Sequence, residues 1–225
     1  TVKKKKNKIE TVIFQNEKKK AQIRVTKVDQ DNNEILLDGV TFDVINNAGE
    51  IVDTIVTGSN GIATTKRIPI DSEYTIIERK TKKEYKLTEE TQTVTLEQDE
   101  IKNIIFQNEK RKGQLRIIKV DLDDNEILLE GVTFDILDKY GNVVDTVVTN
   151  EKGEATSKRL PCIDEEYTAI ERETKKEYVL TEKTQTITLT EDEITSIQFE
   201  NEKIKGYLEI TKVDSKTKDT LKDAV

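Results

Sequence analysis

The sequence predicts an all-β protein made of tandem β-sandwich domains arranged end to end, and three observations lead there. Short runs rich in Val, Ile and Thr alternate apolar with polar residues, and no segment keeps a helical period over three turns. Turn pairs such as Ala48-Gly49, Asn60-Gly61, Tyr140-Gly141 and Lys152-Gly153 separate those runs. One phrase recurs three times: IFQNEKKKAQIRVTKVD at 13–29, IFQNEKRKGQLRIIKVD at 105–121 and QFENEKIKGYLEITKVD at 198–214. Lys27, Lys119 and Lys212 are thereby equivalent at intervals of 92 and 93 residues, as are Asn16, Asn108 and Asn201. Several short strands per copy, joined by tight turns, point to a sandwich.

The repeat sets the expected boundaries. Residues 1–19 read as the last strand of a preceding copy, 20–111 and 112–204 as two complete copies, and 205–225 as the truncated first strand of a following copy. A complete copy opens on QIRVTKVD (22–29), repeated as QLRIIKVD (114–121). LLDGVTFDV (36–44) follows, matched by LLEGVTFDI (128–136), then IVDTIVT (51–57), matched by VVDTVVT (143–149). EYTIIERK (73–80) and EYTAIERE (166–173) come next, and each copy closes on a Phe-x-Asn strand. Between copies runs only EKRKG (109–113), a linker with little slack.

Composition narrows the function classes. Charged residues make up 36% of the 225, aromatics 5%, and His, Met and Trp are absent. A net charge of −8 argues against nucleic acid, whose phosphates need a basic footprint. The basic runs Lys3–Lys6 and Lys18–Lys20 read as solvated surface rather than a heparin or lipid patch. Lone Cys162 cannot form a disulfide within the chain, and it occupies LPCIDEEY where the first copy has IPIDSEY, as a tolerated replacement near a strand end. No stretch is long and apolar enough for membrane insertion. Asp29, Asp31 and Asn33, repeated as Asp121, Asp123 and Asn125, lack the Gly of an EF-type loop; they read as a turn, so no metal and no cofactor is expected.

Side chains alternate across a strand, so parity assigns faces. Ile23, Val25 and Lys27 share one face, as do Leu115, Ile117 and Lys119, and Leu208, Ile210 and Lys212. The lysine thus falls on the inward side. Asn behaves alike: Ile104, Phe106 and Asn108 are in phase, as are Ile197, Phe199 and Asn201, and Val12, Phe14 and Asn16. Tyr74, Ile76 and Glu78, with Tyr167, Ala169 and Glu171, form a third set, although Ile77 and Ile170 blur the alternation.

Singly, each has a plain explanation: a snorkelling lysine, an exposed glutamate, a turn asparagine. Together, inward in both copies, they do not, because a buried charge costs several kcal/mol unless well paired. One chemistry uses all three. A neutral lysine amine can attack a carboxamide carbon and expel ammonia, leaving an uncharged amide between two side chains. Burial favours the neutral forms of an amine and of a carboxyl alike, and the carboxyl can polarise the carboxamide and carry protons.

These residues resemble the CnaB-type (SpaA-like, prealbumin-like) domains of Gram-positive surface adhesins and pilins. The resemblance covers both complete copies and both end pieces. It rests on Lys27-Val28-Asp29 to Phe42 and Lys119-Val120-Asp121 to Phe134, a KVD followed by L-x-G-V-x-F. It rests also on Tyr74, Glu78, Tyr85 and Tyr167, Glu171, Tyr178, and on Phe106-Gln107-Asn108 and Phe199-Glu200-Asn201. Where the family often carries Ala-Pro and Gly between the Glu and the second Tyr, this chain has Thr81-Lys82 and Glu84, at unchanged spacing. A Gly often found before the first Tyr is here Glu73 or Glu166.

The resemblance implies an Ig-like, prealbumin-like sandwich in each copy. It implies autocatalytic isopeptide bonds Lys27–Asn108 and Lys119–Asn201, assisted by Glu78 and Glu171, with Asn16 and Lys212 partnered outside this segment. The implied function is an extracellular, cell-wall-anchored stalk, single-turnover cross-linking being its only chemistry. Its partners would be neighbouring repeats of the same polypeptide and, through another domain, a host or matrix ligand. Two alternatives stand beside it: a pilus or fibre subunit, and an adhesin module gripping a host or matrix ligand.

Overall fold

Period-two alternation dictates strands, and the computed structural model, which describes residues 13–70 and 72–222, contains strands and turns but no helix among them. It follows that no described helix is long and apolar enough to cross a membrane. The chain divides into two units, Thr1–Arg111 and Lys112–Val225.

In the first unit the strands are β1 (Lys20–Asp29), β2 (Thr41–Asn46), β3 (Ile51–Val56), β4 (Ile62–Thr64), β5 (Ile68–Pro69), β6 (Tyr74–Lys80), β7 (Thr91–Val94) and β8 (Ile101–Asn108). β1 lies between β8 on one side and β4 with β5 on the other, while β3-β2-β6-β7 form the second, antiparallel sheet. The first and last strands run parallel, because the whole intervening domain is the crossover that joins them. The inward residues Ile23, Val25, Phe42, Val44, Ile76 and Phe106 fill the space between the sheets and are fully buried. Lys27, in phase with them, is equally buried.

Between Phe42 and Thr41 the β2–β6 register jumps: Phe42 faces Glu78 but Thr41 faces Lys80. Arg79 is the extra residue of this bulge, and its exposed guanidinium pairs with Asp43 at 2.9 Å. The open flanks of the sandwich are stitched by side chains to backbone. Gln92 donates to the Ile105 carbonyl at 2.5 Å, and Asp53 accepts from the Lys66 amide at 2.8 Å. Such stitches occupy groups an edge strand would offer to a foreign chain.

The second unit repeats this plan with β9 (Lys112–Asp121), β10 (Thr133–Leu137), β11 (Val143–Val148), β12 (Glu154–Thr156), β13 (Leu160–Pro161), β14 (Tyr167–Glu173), β15 (Thr184–Ile187) and β16 (Ile194–Asn201). Pairing, bulge and stitches recur: β16 runs parallel to β9, and Phe134 faces Glu171 where Thr133 faces Glu173. Gln185 reaches the Gln198 carbonyl, and Asp145 the Lys158 amide. Cys162, just past β13, is buried in this unit's core.

The segment after each closing strand is held rather than slack. Lys86 donates its amide to Glu109 and Arg111 to Glu84, both at 2.9 Å, and Val179–Glu202 and Ile204–Glu177 repeat the pattern. Outside the sheets, residues 13–19 carry no strand, and the expected Lys3–Lys6 run and Val12 lie outside the described residues. In 205–222 only the KVD turn is formed, by a Val213–Thr220 bridge and a Leu221 amide donating to Lys212. Asp214 there accepts from the Lys216 and Thr217 amides, as Asp29 does from Asp31 and Asn32.

Candidate functional site

Three strands deliver the buried polar groups. β1 brings Lys27 and β8 brings Asn108 from one sheet; β6, next to its bulge, turns Glu78 inward from the other. Lys27 Nζ donates to Asn108 Oδ1 at 2.6 Å, and Glu78 Oε2 lies 2.7 Å from the same nitrogen in ion-pair contact. Asn108 Nδ2 donates to Glu78 Oε1 at 2.6 Å and to Thr81 Oγ1 at 2.7 Å. The Lys27 and Glu78 side chains have no exposed surface at all. Phe42 and Phe106, tilted against each other, place their ring centroids 6.0 and 5.8 Å from the ammonium.

The second unit assembles the same groups with a looser lysine. Lys119 Nζ sits 3.1 Å from Glu171 Oε2. Asn201 Nδ2 donates to Glu171 Oε1 at 2.5 Å and to Thr174 Oγ1 at 2.8 Å. Lys119 Nζ and Asn201 Oδ1 are buried without a hydrogen bond. In both units burial pushes the lysine below its ordinary value, outweighing the pull of the glutamate beside it. Each unit thus gathers a lysine amine, an asparagine carboxamide and a glutamate carboxyl, all buried.

Of the sequence-predicted residues, Lys27, Glu78 and Asn108 meet, as do Lys119, Glu171 and Asn201. Asn16 and Lys212 are exposed. Sequence reasoning missed Thr81 and Thr174, each three residues past the glutamate. The only available signal was their position just beyond the strand end. It also missed how Asp29 is used: Oδ2 accepts from the Tyr85 hydroxyl at 2.8 Å, with Lys110 Nζ 3.5 Å away. Asp121 is served likewise by Tyr178 at 2.8 Å and Lys203 at 3.2 Å. The Tyr178 hydroxyl, with the turn amides and Lys203, holds the Asp121 carboxyl down at about 2 against the opposing effect of burial. Burial, then the bond to Asp29, holds the Tyr85 hydroxyl above its ordinary range. Asp29 and Asp121 thus cap their turns and are tied to tyrosine. Among the described residues no cluster of His, Cys, Asp or Glu could hold a metal ion.

The family model for SpaA, described as a prealbumin-like fold domain, matches residues 21–110 and again 113–203. No curated protein matches the chain. Among solved structures, the Bacillus anthracis TIE protein is similar at 26% identity and a TM-score of 0.65, over 83% of this chain. The alignment takes in 34% of that protein, so this chain spans about a third of its length. GBS52, the minor pilin of Streptococcus agalactiae, aligns at 16% identity and a TM-score of 0.40, over 85% of this chain and 100% of that one. The shaft pilin SpaA of Lactobacillus rhamnosus GG aligns at 15% identity and a TM-score of 0.39, over 84% of this chain and 100% of that one.

Proposed function

The chain belongs to the SpaA family of prealbumin-like domains, two in tandem, and from that premise we propose that it is a stalk segment of a Gram-positive surface protein whose domains lock themselves with Lys–Asn amide bonds. The bonds are Lys27–Asn108 and Lys119–Asn201, with Glu78 and Glu171 carrying protons. The observation that carries this reading is the buried contact of Lys27 Nζ with Asn108 Oδ1 at 2.6 Å, with Glu78 touching both residues.

The step balances without any outside reagent. Lys27 passes one proton to Glu78, and its neutral Nζ attacks Cγ of Asn108. The Cγ–Nδ2 bond breaks, and Nδ2 leaves as ammonia after taking a proton through Glu78. Of the three ammonium protons, one stays on the new amide, one leaves in ammonia and one ends on Glu78. Fixed contact in the core supplies the effective molarity. An ion pair that is costly to bury is thereby replaced by a neutral amide.

Closing a loop across an 81-residue separation stabilises the domain by roughly 4–5 kcal/mol if the chain-entropy account of cross-links transfers. Under tension, force entering β1 leaves through β8 and bypasses everything between. The stretch from Asn108 to Lys119 then carries load as ordinary chain, which gives a reason for its recurrence. An extracellular, wall-attached setting suits such a spacer.

Intact mass tests the reading. The folded chain should weigh two ammonia molecules less than its sequence, and Glu78→Ala should restore one of them. A full-sequence mass for the mature folded chain would leave an uncross-linked β spacer.

A further inference from the structure

We propose that Thr81 and Thr174 are positioning residues for the cross-link, holding the leaving nitrogen of the carboxamide. This rests on the Lys–Asn reading above and deepens it. A carboxamide can sit in either of two flips, and only one turns its oxygen to the lysine. In each unit Nδ2 has two N–H donors and finds two acceptors: the glutamate Oε1 and the threonine Oγ1. With both N–H groups engaged away from the lysine, the flip is fixed.

The glutamate carboxylate, an acceptor when ionised, meets Nδ2 through Oε1 and the lysine nitrogen through Oε2. The threonine hydroxyl, which can donate or accept, does not choose the flip; it holds the nitrogen that the carboxylate has turned toward it. During bond breaking, Nδ2 becomes a pyramidal amine that must aim its lone pair at the proton on the glutamate. A hydroxyl accepting one of its N–H bonds keeps it aimed. Thr81 and Thr174 are half-buried while the asparagines are buried, so the threonine lies on the more open side of the carboxamide nitrogen.

The test follows bond closure in newly synthesised full-length chains, quenched at intervals and mapped by peptide mass, so that each unit is timed separately. Thr81→Val keeps the shape and removes the hydroxyl; Thr81→Ser keeps the hydroxyl and removes the methyl. Thr81→Val should close the Lys27–Asn108 bond about five- to tenfold more slowly, the rate equivalent of one lost hydrogen bond. Thr81→Ser should close at the parental rate. The Lys119–Asn201 bond in the same molecules is the internal reference and should be unchanged by either.

A Thr81→Val chain closing at the parental rate overturns the positioning role and leaves the cross-link standing. Slowing that follows shape, with Ser slow and Val fast, overturns it too. Parental chains that never lose ammonia from either unit overturn the cross-link itself.

Discussion

Lys27 and Asn108 lie on neighbouring parallel strands without being cross-strand partners: Lys27 faces Phe106, and Asn108 faces Asp29. Their side chains meet diagonally, at 2.6 Å, from the same face of the ladder. A slip of one residue would turn one of the two to the opposite face, so the contact fixes the register of the opening and closing strands together.

That contact makes the lysine costly to remove. Lys27→Met removes the cation that pairs with Glu78 before closure and forbids the cross-link, so the first unit should lose at least about 4–5 kcal/mol. Hydrogen exchange of β1 and β8, read against β9 and β16 in the same molecule, checks this. Equal protection in the two units would show that neither the ion pair nor the cross-link at Lys27 holds the first unit.

Acid should expose the role of Tyr178. Asp121 is held near 2, so the fold favours its charged form. Its contribution is complete above the ordinary carboxylate value of 3.8 and disappears as pH falls toward 2. Tyr178→Phe lets that value rise, and the second unit should then begin to unfold at a higher pH than the parent. Hydrogen exchange across an acid titration checks it, and an unchanged acid midpoint would remove the tyrosine from the account.

Gly113 is a point where the two units differ. A Cβ there would lie 2.3 Å from the Thr190 carbonyl oxygen, a backbone atom that cannot swing aside. The first unit carries Ala21 at the equivalent place and buries it. Gly113→Ala should therefore destabilise the second unit by about 1–3 kcal/mol, seen as an earlier urea transition for that unit alone. Parental stability would mean that β9 shifts freely.

Cys162 is a buried thiol, 7% exposed, packed in the second core. A thiol reagent should label it slowly in the native protein and rapidly in urea. Cys162→Val should cost under about 1.5 kcal/mol, as a near-isosteric apolar exchange. Rapid native labelling would show that this end of the core opens.

Alternation is local, and it made the strands and the inward phase of Lys27, Glu78 and Asn108 readable from the chain alone, as the recurring phrase did the two copies. It holds because side chains of a strand change faces at every residue whatever lies beyond. The parallel pairing of β1 with β8 was not readable, nor the diagonal offset, nor the bulge at Arg79 that accompanies the inward turn of Glu78. Each is a relation between segments distant in sequence, decided by how two sheets close on one core. Thr81 stayed hidden for the same reason: just past a strand end, its hydroxyl gains meaning only when the last strand arrives beside it. Within each complete unit the sequence by itself determined which residues face inward; the tertiary structure alone decided which of them touch, because contact depends on register and layer spacing that no local period records.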